Sequence, residues 1–411
     1  MKSYSVRVLS GVLVSLLCVF VFNLLVNPYD IFEAPEITGF NSYKSEVERH
    51  TRLSKVYQVE RIRPDAILLA SSRGLVVPDS YLSESGATGF NLSLTSASTY
   101  ELFRMFQHAQ ASHPLKSVML ALDEEFTDIK QPNFTEQRLA VNPDGSINRL
   151  KWLTHWRDMF TSLFSMDALR ASFRTIRKQK DNPETMDYQQ YMSKRIFNAG
   201  GHRQMFRNME ASIFSSFRGV ENLCEMPSEN THEVHGVPSS YFEAIVDMAY
   251  KNNIDLYVYF SPAHARLYEA KCMIGKWAQM ENMKRAVVKY VKKKADIYSV
   301  KPFPVWDFSG YNSITTESVP ALGDKISIMA WYNEGSHYTR KTAKLVFDKI
   351  FSHVRADDDF GRLITVDNVE GHLIDIREQR KQYVLTHTSD IEELNMLFTD
   401  SVSLNKQSFL E

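Results

Sequence analysis

The longest block of apolar positions in this chain lies at its N-terminus. It begins at Val8 and ends at Val26, and its 19 residues include neither a charge nor a proline. At a rise of about 1.5 Å per residue, such a helix matches the ~30 Å hydrocarbon core of a bilayer. Lys2 and Arg7 precede it, which predicts that the N-terminus is cytoplasmic and that the residues after the apolar run lie outside the cytoplasm. Since no A-x-A-like site follows, we predict an uncleaved signal anchor, with a cleaved signal peptide as the alternative.

After this block, patterns typical of strands and of helices alternate. The anchor and its cytoplasmic stub occupy residues 1–29, and a polar connector follows over 30–63. Short apolar runs then predict buried strands at 65–70, 89–94, 117–122, 254–260 and 304–308. Apolar residues at helical spacing predict helices at 99–110, 239–250, 276–293 and 340–354. Strands that alternate with helices indicate a parallel sheet covered on both faces, so we predict an α/β domain over 64–355.

Two segments do not follow this alternation. The segment 127–235 carries aromatic and apolar residues mostly three or four positions apart, namely Trp152, Trp156, Phe160, Leu163 and Phe164. We interpret it as a helical insertion that packs on the sheet, and a lid or partner-binding surface is the alternative. The segment 356–411 is interpreted as a C-terminal appendage with some β structure, at 362–368 and 371–376.

Composition and charge narrow the class of protein. The chain has 411 residues, of which 44% are hydrophobic and 24% charged, which excludes wholesale disorder and a collagen-like structure. A formal net charge of −1 argues against nucleic acid as the main partner. Of the three cysteines, Cys18 lies in the membrane run, whereas Cys224 and Cys272 lie in the exported part. In an oxidising compartment these two can form a disulfide, and two unpaired cysteines are the alternative.

A serine follows the first predicted strand directly. Residues 70–74 read Ala-Ser-Ser-Arg-Gly, and functional groups in parallel sheets gather at the carboxyl ends of strands. Ser72 at the start of the next helix would present its hydroxyl beside backbone N–H groups that can stabilise an oxyanion. The same residues are also a good helix cap, which is the alternative interpretation.

An acid and a histidine lie near the end of the predicted α/β domain. Glu334 precedes His337 by three residues, just before the last predicted helix of that domain. A carboxylate in this position can orient the imidazole, which can then take a proton from a serine hydroxyl. A surface histidine without such a role is the alternative.

Two further segments follow predicted strands at the same edge of the sheet. His264 and Arg266 are candidates to contact an anionic substrate or an acyl acceptor, unless they only begin a helix. Asp307 is a second candidate to bind His337, with Glu334 preferred by its spacing.

Together, these motifs resemble the SGNH (GDSL-like) hydrolase superfamily. In that family the nucleophile follows strand one and a D-x-x-H block lies near the end of the domain. Here Ser72 takes the nucleophile position, His337 the base position and Glu334 the acid position. The resemblance covers about 60–125 and 250–355, and it implies a flavodoxin-like three-layer sheet with strand order 2-1-3-4-5.

The branch that the chain looks like contains membrane-anchored, extracytoplasmic proteins of envelope acylation, such as the alginate O-acetylation proteins and the D-alanyl transfer protein of teichoic acids. The chain departs from the family at the oxyanion hole. Ala70 replaces the first-block glycine, no glycine follows Asn91, and the acidic pair 123–124 occupies the position of an asparagine. Asn91, Ser96 and Arg73 are therefore candidates for oxyanion or substrate contacts, although Arg73 is also expected to pair with one of the two acids.

The resemblance implies a single-pass protein of the bacterial inner membrane with a periplasmic or extracellular main domain. It would cleave or transfer an acyl group on an envelope or extracellular polysaccharide, and acetyl is the favoured acyl group. A multi-pass membrane acyltransferase would be its partner. A catalytically silent binding or scaffold subunit is the alternative. We expect no cofactor and no metal, because nucleotide-binding glycine motifs do not follow a strand and His232 and His235 lack further ligands at metal spacing.

Overall fold

The computed structural model describes residues 2–82, 87–181, 188–217, 219, 221–224, 239–352 and 359–408. The chain forms two compact units. The helical unit comprises Met1–Pro64, Arg104–Pro114 and Lys130–Tyr191. The sheet unit comprises Asp65–Phe103, Leu115–Ile129 and Met192–Glu411.

The α-helices within the described ranges are α1 (Lys2–Val26), α2 (Thr51–Ile62), α3 (Thr99–Ser112), α4 (Lys151–Phe164), α5 (Met166–Arg177), α6 (Tyr188–Ala199), α7 (His202–Ser215), α8 (Ser240–Lys251), α9 (Ala265–Met273), α10 (Trp277–Tyr298), α11 (Arg340–Ser352), α12 (Val369–Thr386) and α13 (Thr388–Ser408). The strands are β1 (Ala66–Leu69), β2 (Gly89–Asn91), β3 (Ser117–Leu122), β4 (Asp255–Phe260), β5 (Val305–Asp307) and β6 (Arg362–Ile364).

The first helix, α1, is long and apolar enough to cross a membrane, and most of its surface is exposed. The rest of the helical unit has a small core of its own. That core includes Tyr29, Ile31, Tyr57, Ala168 and Ala171. The predicted polar connector over 30–63 therefore belongs to a packed unit, because α2 supplies buried side chains to it.

A six-stranded sheet organises the sheet unit. The strand order is β2-β1-β3-β4-β5-β6, in which β1 to β5 are parallel and β6 is antiparallel to β5. The central strands read as short apolar runs because both faces of a parallel sheet are covered. On one face, Leu68, Met119 and Tyr259 pack in the same core as Val346 and Phe347 of α11.

The predicted α/β class is confirmed, and each of the five predicted strands is present. Helices are also present at the four predicted positions. Ser239 caps α8 by accepting a hydrogen bond from the Tyr241 N–H at 3.2 Å. The carboxyl ends of β1, β3, β4 and β5 therefore lie along one edge of the sheet, where the candidate residues follow them.

The C-terminal segment is not an appendage. β6 adds to the sheet, which confirms β structure at the start of 362–368. The β structure expected at 371–376 is wrong, because these residues lie in α12. Leu373 and Ile376 are buried and three residues apart, which is the spacing of one helix face.

The predicted insertion 127–235 is divided between the two units. Its helices α4 and α5 belong to the helical unit, whereas α7 belongs to the sheet unit. The reason is that α7 buries Phe206 and Phe214 in two cores of the sheet unit.

Candidate active site

Ser72 is the first residue of a tight 3-10 turn that follows β1. Ser71 caps this turn, because its Oγ accepts a hydrogen bond from the Arg73 N–H at 3.3 Å. Gly74 allows the turn to lie against the sheet, since a Cβ there would be 2.5 Å from Ala70 Cβ and from Ser93 Oγ. The turn therefore presents the half-buried Ser72 at the carboxyl edge of the sheet.

The structure brings Ser72, His337 and Glu334 together. The distance from Ser72 Oγ to His337 Nε2 is 2.9 Å, and His337 Nδ1 lies in a short contact with Glu334 Oε1. An Nδ1–H that donates to the carboxylate leaves the Nε2 lone pair free to accept the Ser72 proton, which assigns the tautomer from the hydrogen-bond network. The His337 side chain is 40% exposed and that of Glu334 11%, so the histidine is open to substrate while the acid is enclosed.

The Glu334 carboxylate is held in place by its own loop. It accepts hydrogen bonds from the Ser336 N–H at 2.9 Å, the Ser336 hydroxyl at 2.7 Å and the His337 N–H at 2.9 Å. Burial opposes ionisation of Glu334, but the His337 contact and the Ser336 donors outweigh it and lower its pKa to about 2. Glu334 is therefore an anion near neutral pH.

A buried histidine that the sequence did not suggest positions this loop. His202 Nδ1 donates to the Asn333 carbonyl at 2.9 Å, and its Nε2 accepts from the Met329 N–H at 3.0 Å. Burial lowers the pKa of His202, which favours the neutral ring that this pair of hydrogen bonds requires. No local signal marks His202, because its loop contacts are more than a hundred residues away in the chain.

Glu317 holds the start of the same loop. Its carboxylate accepts hydrogen bonds from the N–H groups of Ala330 and Trp331, the second at 2.9 Å. The His264 backbone N–H donates to the Gly335 carbonyl at 2.9 Å. The segment that carries Glu334 and His337 is thus fixed at both ends and in the middle.

Asn91 is not available as an oxyanion donor. Its side-chain amide donates to the carbonyls of Gly74 at 2.7 Å and Val77 at 2.8 Å. Its carbonyl oxygen accepts from the Ser93 N–H at 3.0 Å. The expected oxyanion role of this side chain is wrong, since both amide hydrogens hold the turn that carries Ser72.

The end of β3 is occupied by an ion-pair cluster. Arg73 donates to Glu124 through Nη1 at 2.6 Å and Nη2 at 2.8 Å, and Asp123 Oδ1 lies 3.5 Å from Nη1. The expected pairing of Arg73 with these acids is confirmed. The pairing engages the guanidinium, which had been a candidate to contact the oxyanion or the substrate. Burial opposes ionisation of Glu124, but the charge and hydrogen bonds of Arg73 outweigh it and lower its pKa.

The chain after β2 runs alongside the chain after β1. Leu92 N–H donates to the Leu68 carbonyl at 2.9 Å, and Leu94 N–H donates to the Ala70 carbonyl at 3.0 Å. Ser96 follows in an exposed turn with a φ of 48°. Among the described residues, none accepts a hydrogen bond from the Ser72 backbone N–H.

His264 and Arg266 do not face a substrate, because both are buried and occupied. The His264 ring caps α9 by accepting from the Arg266 N–H at 3.2 Å, and its other nitrogen donates to the Glu317 carbonyl at 2.7 Å. Arg266 makes two hydrogen bonds of 2.8 Å to Glu210 and one of 2.9 Å to Asp390. These residues join α9 to α7 and α13, so the predicted substrate contacts are wrong.

Asp307 does not bind His337 either. Its carboxylate lies 2.8 Å from His372 Nε2 and 2.8 Å from Lys284 Nζ, and it is buried. The alternative acid is therefore wrong, and Glu334 is the carboxylate that contacts His337.

Cys224 and Cys272 form a disulfide, with a Cα–Cα distance of 4.6 Å. Cys18 is exposed on α1. Within the described ranges, no group of three His, Cys, Asp or Glu side chains is arranged to hold a metal ion. His232 and His235 lie outside the described residues.

Comparison with known protein families finds no matching family, and comparison with curated proteins finds no significantly similar one.

Proposed function

We propose that this protein is a serine acyl-esterase or O-acyltransferase in which Ser72 is the nucleophile, His337 the base and Glu334 the orienting acid. The observation that carries the proposal is the 2.9 Å hydrogen bond between Ser72 and His337 Nε2, with Glu334 on the opposite ring nitrogen. A serine that contacts a histidine, which in turn contacts a carboxylate through its other ring nitrogen, is the arrangement that activates a serine on several unrelated folds.

In the proposed reaction, Ser72 Oγ attacks the acyl carbonyl as His337 Nε2 takes its proton. The carbonyl oxygen becomes an oxyanion, and the ionised Glu334 stabilises the imidazolium that forms. His337 then gives the proton to the leaving oxygen, and an acyl-serine remains. Water or a sugar hydroxyl then gives its proton to His337 and attacks the acyl-serine carbonyl. As the bond from the acyl group to Ser72 Oγ breaks, His337 returns the proton to Oγ, and the acid or the sugar ester is released.

Backbone N–H groups form the oxyanion hole in this proposal. The Ser72 N–H is the first donor, since it begins the 3-10 turn and no described residue accepts its hydrogen bond. The Leu94 N–H donates to the Ala70 carbonyl at 3.0 Å, so the chain after β2 runs beside the start of this turn. Loss of a side-chain donor in such sites costs about 10²–10³ in rate, so we expect a slow enzyme.

The proposed location is the bacterial inner membrane, with α1 as a single-pass anchor and the main domain in the periplasm or outside the cell. Lys2 and Arg7 before the apolar run support a cytoplasmic N-terminus. The disulfide between Cys224 and Cys272 supports an oxidising compartment for the rest.

The proposed fold is of the SGNH type, and the order β2-β1-β3-β4-β5 of the parallel strands supports it. By the same resemblance, the acceptor is an envelope or extracellular polysaccharide, the acyl group is acetyl, and a multi-pass membrane acyltransferase supplies it. These assignments rest on analogy with the family alone.

The occupied oxyanion positions favour a second candidate. Asn91 is used to hold the turn, and a carboxylate pair with Arg73 occupies the end of β3. A protein that keeps the sheet but has lost the hole would be a silent binding or scaffold subunit of an envelope polysaccharide assembly.

Labelling with a fluorophosphonate separates the two candidates. The full chain in detergent is incubated with the probe, and the modified peptide is identified by mass spectrometry. We expect labelling at Ser72 that is lost in Ser72→Ala and His337→Ala and kept in Ser212→Ala, a control at an exposed serine of α7. A wild-type chain that is neither labelled nor able to hydrolyse p-nitrophenyl acetate would contradict the enzyme and favour the silent subunit.

A further inference from the structure

Helix α4 is folded with its polar face inwards. The side chains that it buries are mostly polar: Thr154, Asp158 and Ser162, together with Leu163 near its C-terminal end. Its exposed side carries four large apolar residues, each at least half exposed, which we call the aromatic face: Trp152, Leu153, Trp156 and Phe160. A helix whose outer side faces water shows the reverse pattern, so contact with water alone does not account for the apolar residues on the outer side of α4.

Specific hydrogen bonds hold the polar side of α4 inside. Asp158 accepts from the Tyr57 hydroxyl at 2.8 Å and from Arg138 Nε at 2.5 Å. Rotating α4 to bury its aromatic face would leave this carboxylate and its partners unpaired, which is costly. The orientation of the aromatic face towards the outside is therefore built into the helical unit.

The aromatic face continues from the end of α1. Phe20 stacks on Phe164 with ring centroids 5.3 Å apart, and Phe22 contacts Phe173 of α5 at 4.9 Å. Asn23 Nδ2 donates to the Leu163 carbonyl at 3.0 Å. All three α1 residues lie near its C-terminal end, so α4 and α5 join α1 at the point where it would leave a bilayer.

The charge around this face matches an anionic surface. Residues 149–180 contain eight basic and two acidic side chains. Arg157 and Arg170 are each more than 60% exposed, and Met166 and Phe173 of α5 extend the exposed apolar surface. Exposed tryptophans with arginines beside them are typical of helices that lie at the boundary between headgroups and acyl chains.

We propose that α4 and the start of α5 lie in the surface of the phospholipid bilayer, with the aromatic face inserted among the acyl chains of the leaflet that α1 leaves. This inference rests on the membrane anchor in the proposed function and does not depend on the chemistry of Ser72. It gives the helical unit a second membrane contact beside its transmembrane helix.

Tryptophan quenching by brominated lipids tests the inference. The full chain is reconstituted into nanodiscs of phosphatidylcholine and phosphatidylglycerol, with bromine either near the headgroup or near the bilayer midplane. We expect bromine near the headgroup to quench the Trp152 and Trp156 emission at least twofold more than bromine near the midplane. The difference should vanish in W152F/W156F and persist in Trp306→Phe.

A charge substitution provides a second measurement that leaves the tryptophans in place. Phe160→Glu should lift the face from the lipid and reduce the quenching at least twofold. Thr161→Glu, at an exposed neighbour off the aromatic face, should leave it unchanged. Equal quenching in the two variants would contradict the inference.

Two further outcomes separate this inference from the proposed function. If the chain resists carbonate extraction but shows no quenching, the surface contact is wrong and the anchor stands. If carbonate extracts the chain, both are wrong, while labelling of Ser72 is scored independently. Crosslinking from position 156 to an integral membrane protein, without quenching in pure lipid, would assign the face to a protein partner and overturn the inference.

Discussion

Among the residues that the structure describes, the sheet unit contains two carboxylate–histidine pairs with different surroundings. Glu334 contacts His337 in a loop, and the other ring nitrogen of His337 reaches Ser72 at 2.9 Å. Asp307, at the end of β5, contacts His372 of α12 at 2.8 Å. Both pairs have the geometry in which a carboxylate orients an imidazole.

Burial and a third charge distinguish the two pairs. Asp307 is fully buried and is also paired with Lys284 at 2.8 Å, whereas the His337 side chain is 40% exposed. The buried pair therefore joins a strand to a C-terminal helix, and only the open pair can meet a substrate. A carboxylate–histidine contact becomes a candidate base through exposure and a neighbouring nucleophile, not through its own geometry.

The largest expected effect comes from removing the charge of the open pair. Glu334→Gln leaves an amide beside His337 that stabilises neither the correct tautomer nor the imidazolium. We expect kcat for p-nitrophenyl acetate to fall by roughly 10²–10⁴ with KM little changed. Glu378→Gln, at an exposed surface pair, serves as the control. A kcat in Glu334→Gln equal to that of the wild type would contradict the catalytic role that distinguishes the Glu334–His337 pair from the Asp307–His372 pair.

The matching substitution in the buried pair is expected to affect stability instead. Asp307→Asn leaves Lys284 buried without its counter-ion, and breaking such a pair costs about 3–5 kcal/mol. We expect a clear drop in Tm by circular dichroism, with Ser72 labelling per folded molecule unchanged. An unchanged Tm, or folded protein that no longer labels, would contradict the structural role of this pair.

The pH profile is the smallest effect and sharpens the difference within the open pair. Because the Glu334 pKa is lowered to about 2, this group is ionised across the working range. We expect kcat/KM to rise no more than about tenfold per pH unit on its acid limb, because Glu334 adds no second ionisation there. A second acid limb above pH 4 would contradict the ionised state of Glu334.

The same pKa shift has a consequence for stability. A carboxyl whose pKa is lower in the folded state stabilises the fold fully above its unfolded pKa, about 4.3 for Glu. That contribution is lost as pH falls from there towards 2. Thermal unfolding of the wild type and Glu334→Gln should therefore converge in acid, and a constant difference would contradict the shift.

Much of the fold and part of the site follow from local sequence. The strands could be predicted because burial on both faces of a parallel sheet requires short apolar runs. Ser72 could be identified because it follows such a run directly, and Glu334 with His337 by their spacing of three. The helical structure of 371–376 could not be predicted, since Ile374 and Ile376 are two residues apart and also fit the period of a strand.

Local patterns of residues suffice to predict the strands and helices of the α/β domain, the apolar N-terminal helix and the residues able to form a serine–histidine–acid set. Which polar side chains are already engaged by other residues depends on the tertiary structure. The partners of Asn91 are 17 and 14 residues away, those of Arg266 are 56 and 124, and His202 reaches 131 residues to its loop. Hydrogen bonds and ion pairs over such separations depend on packing in space, which no local pattern of residues encodes.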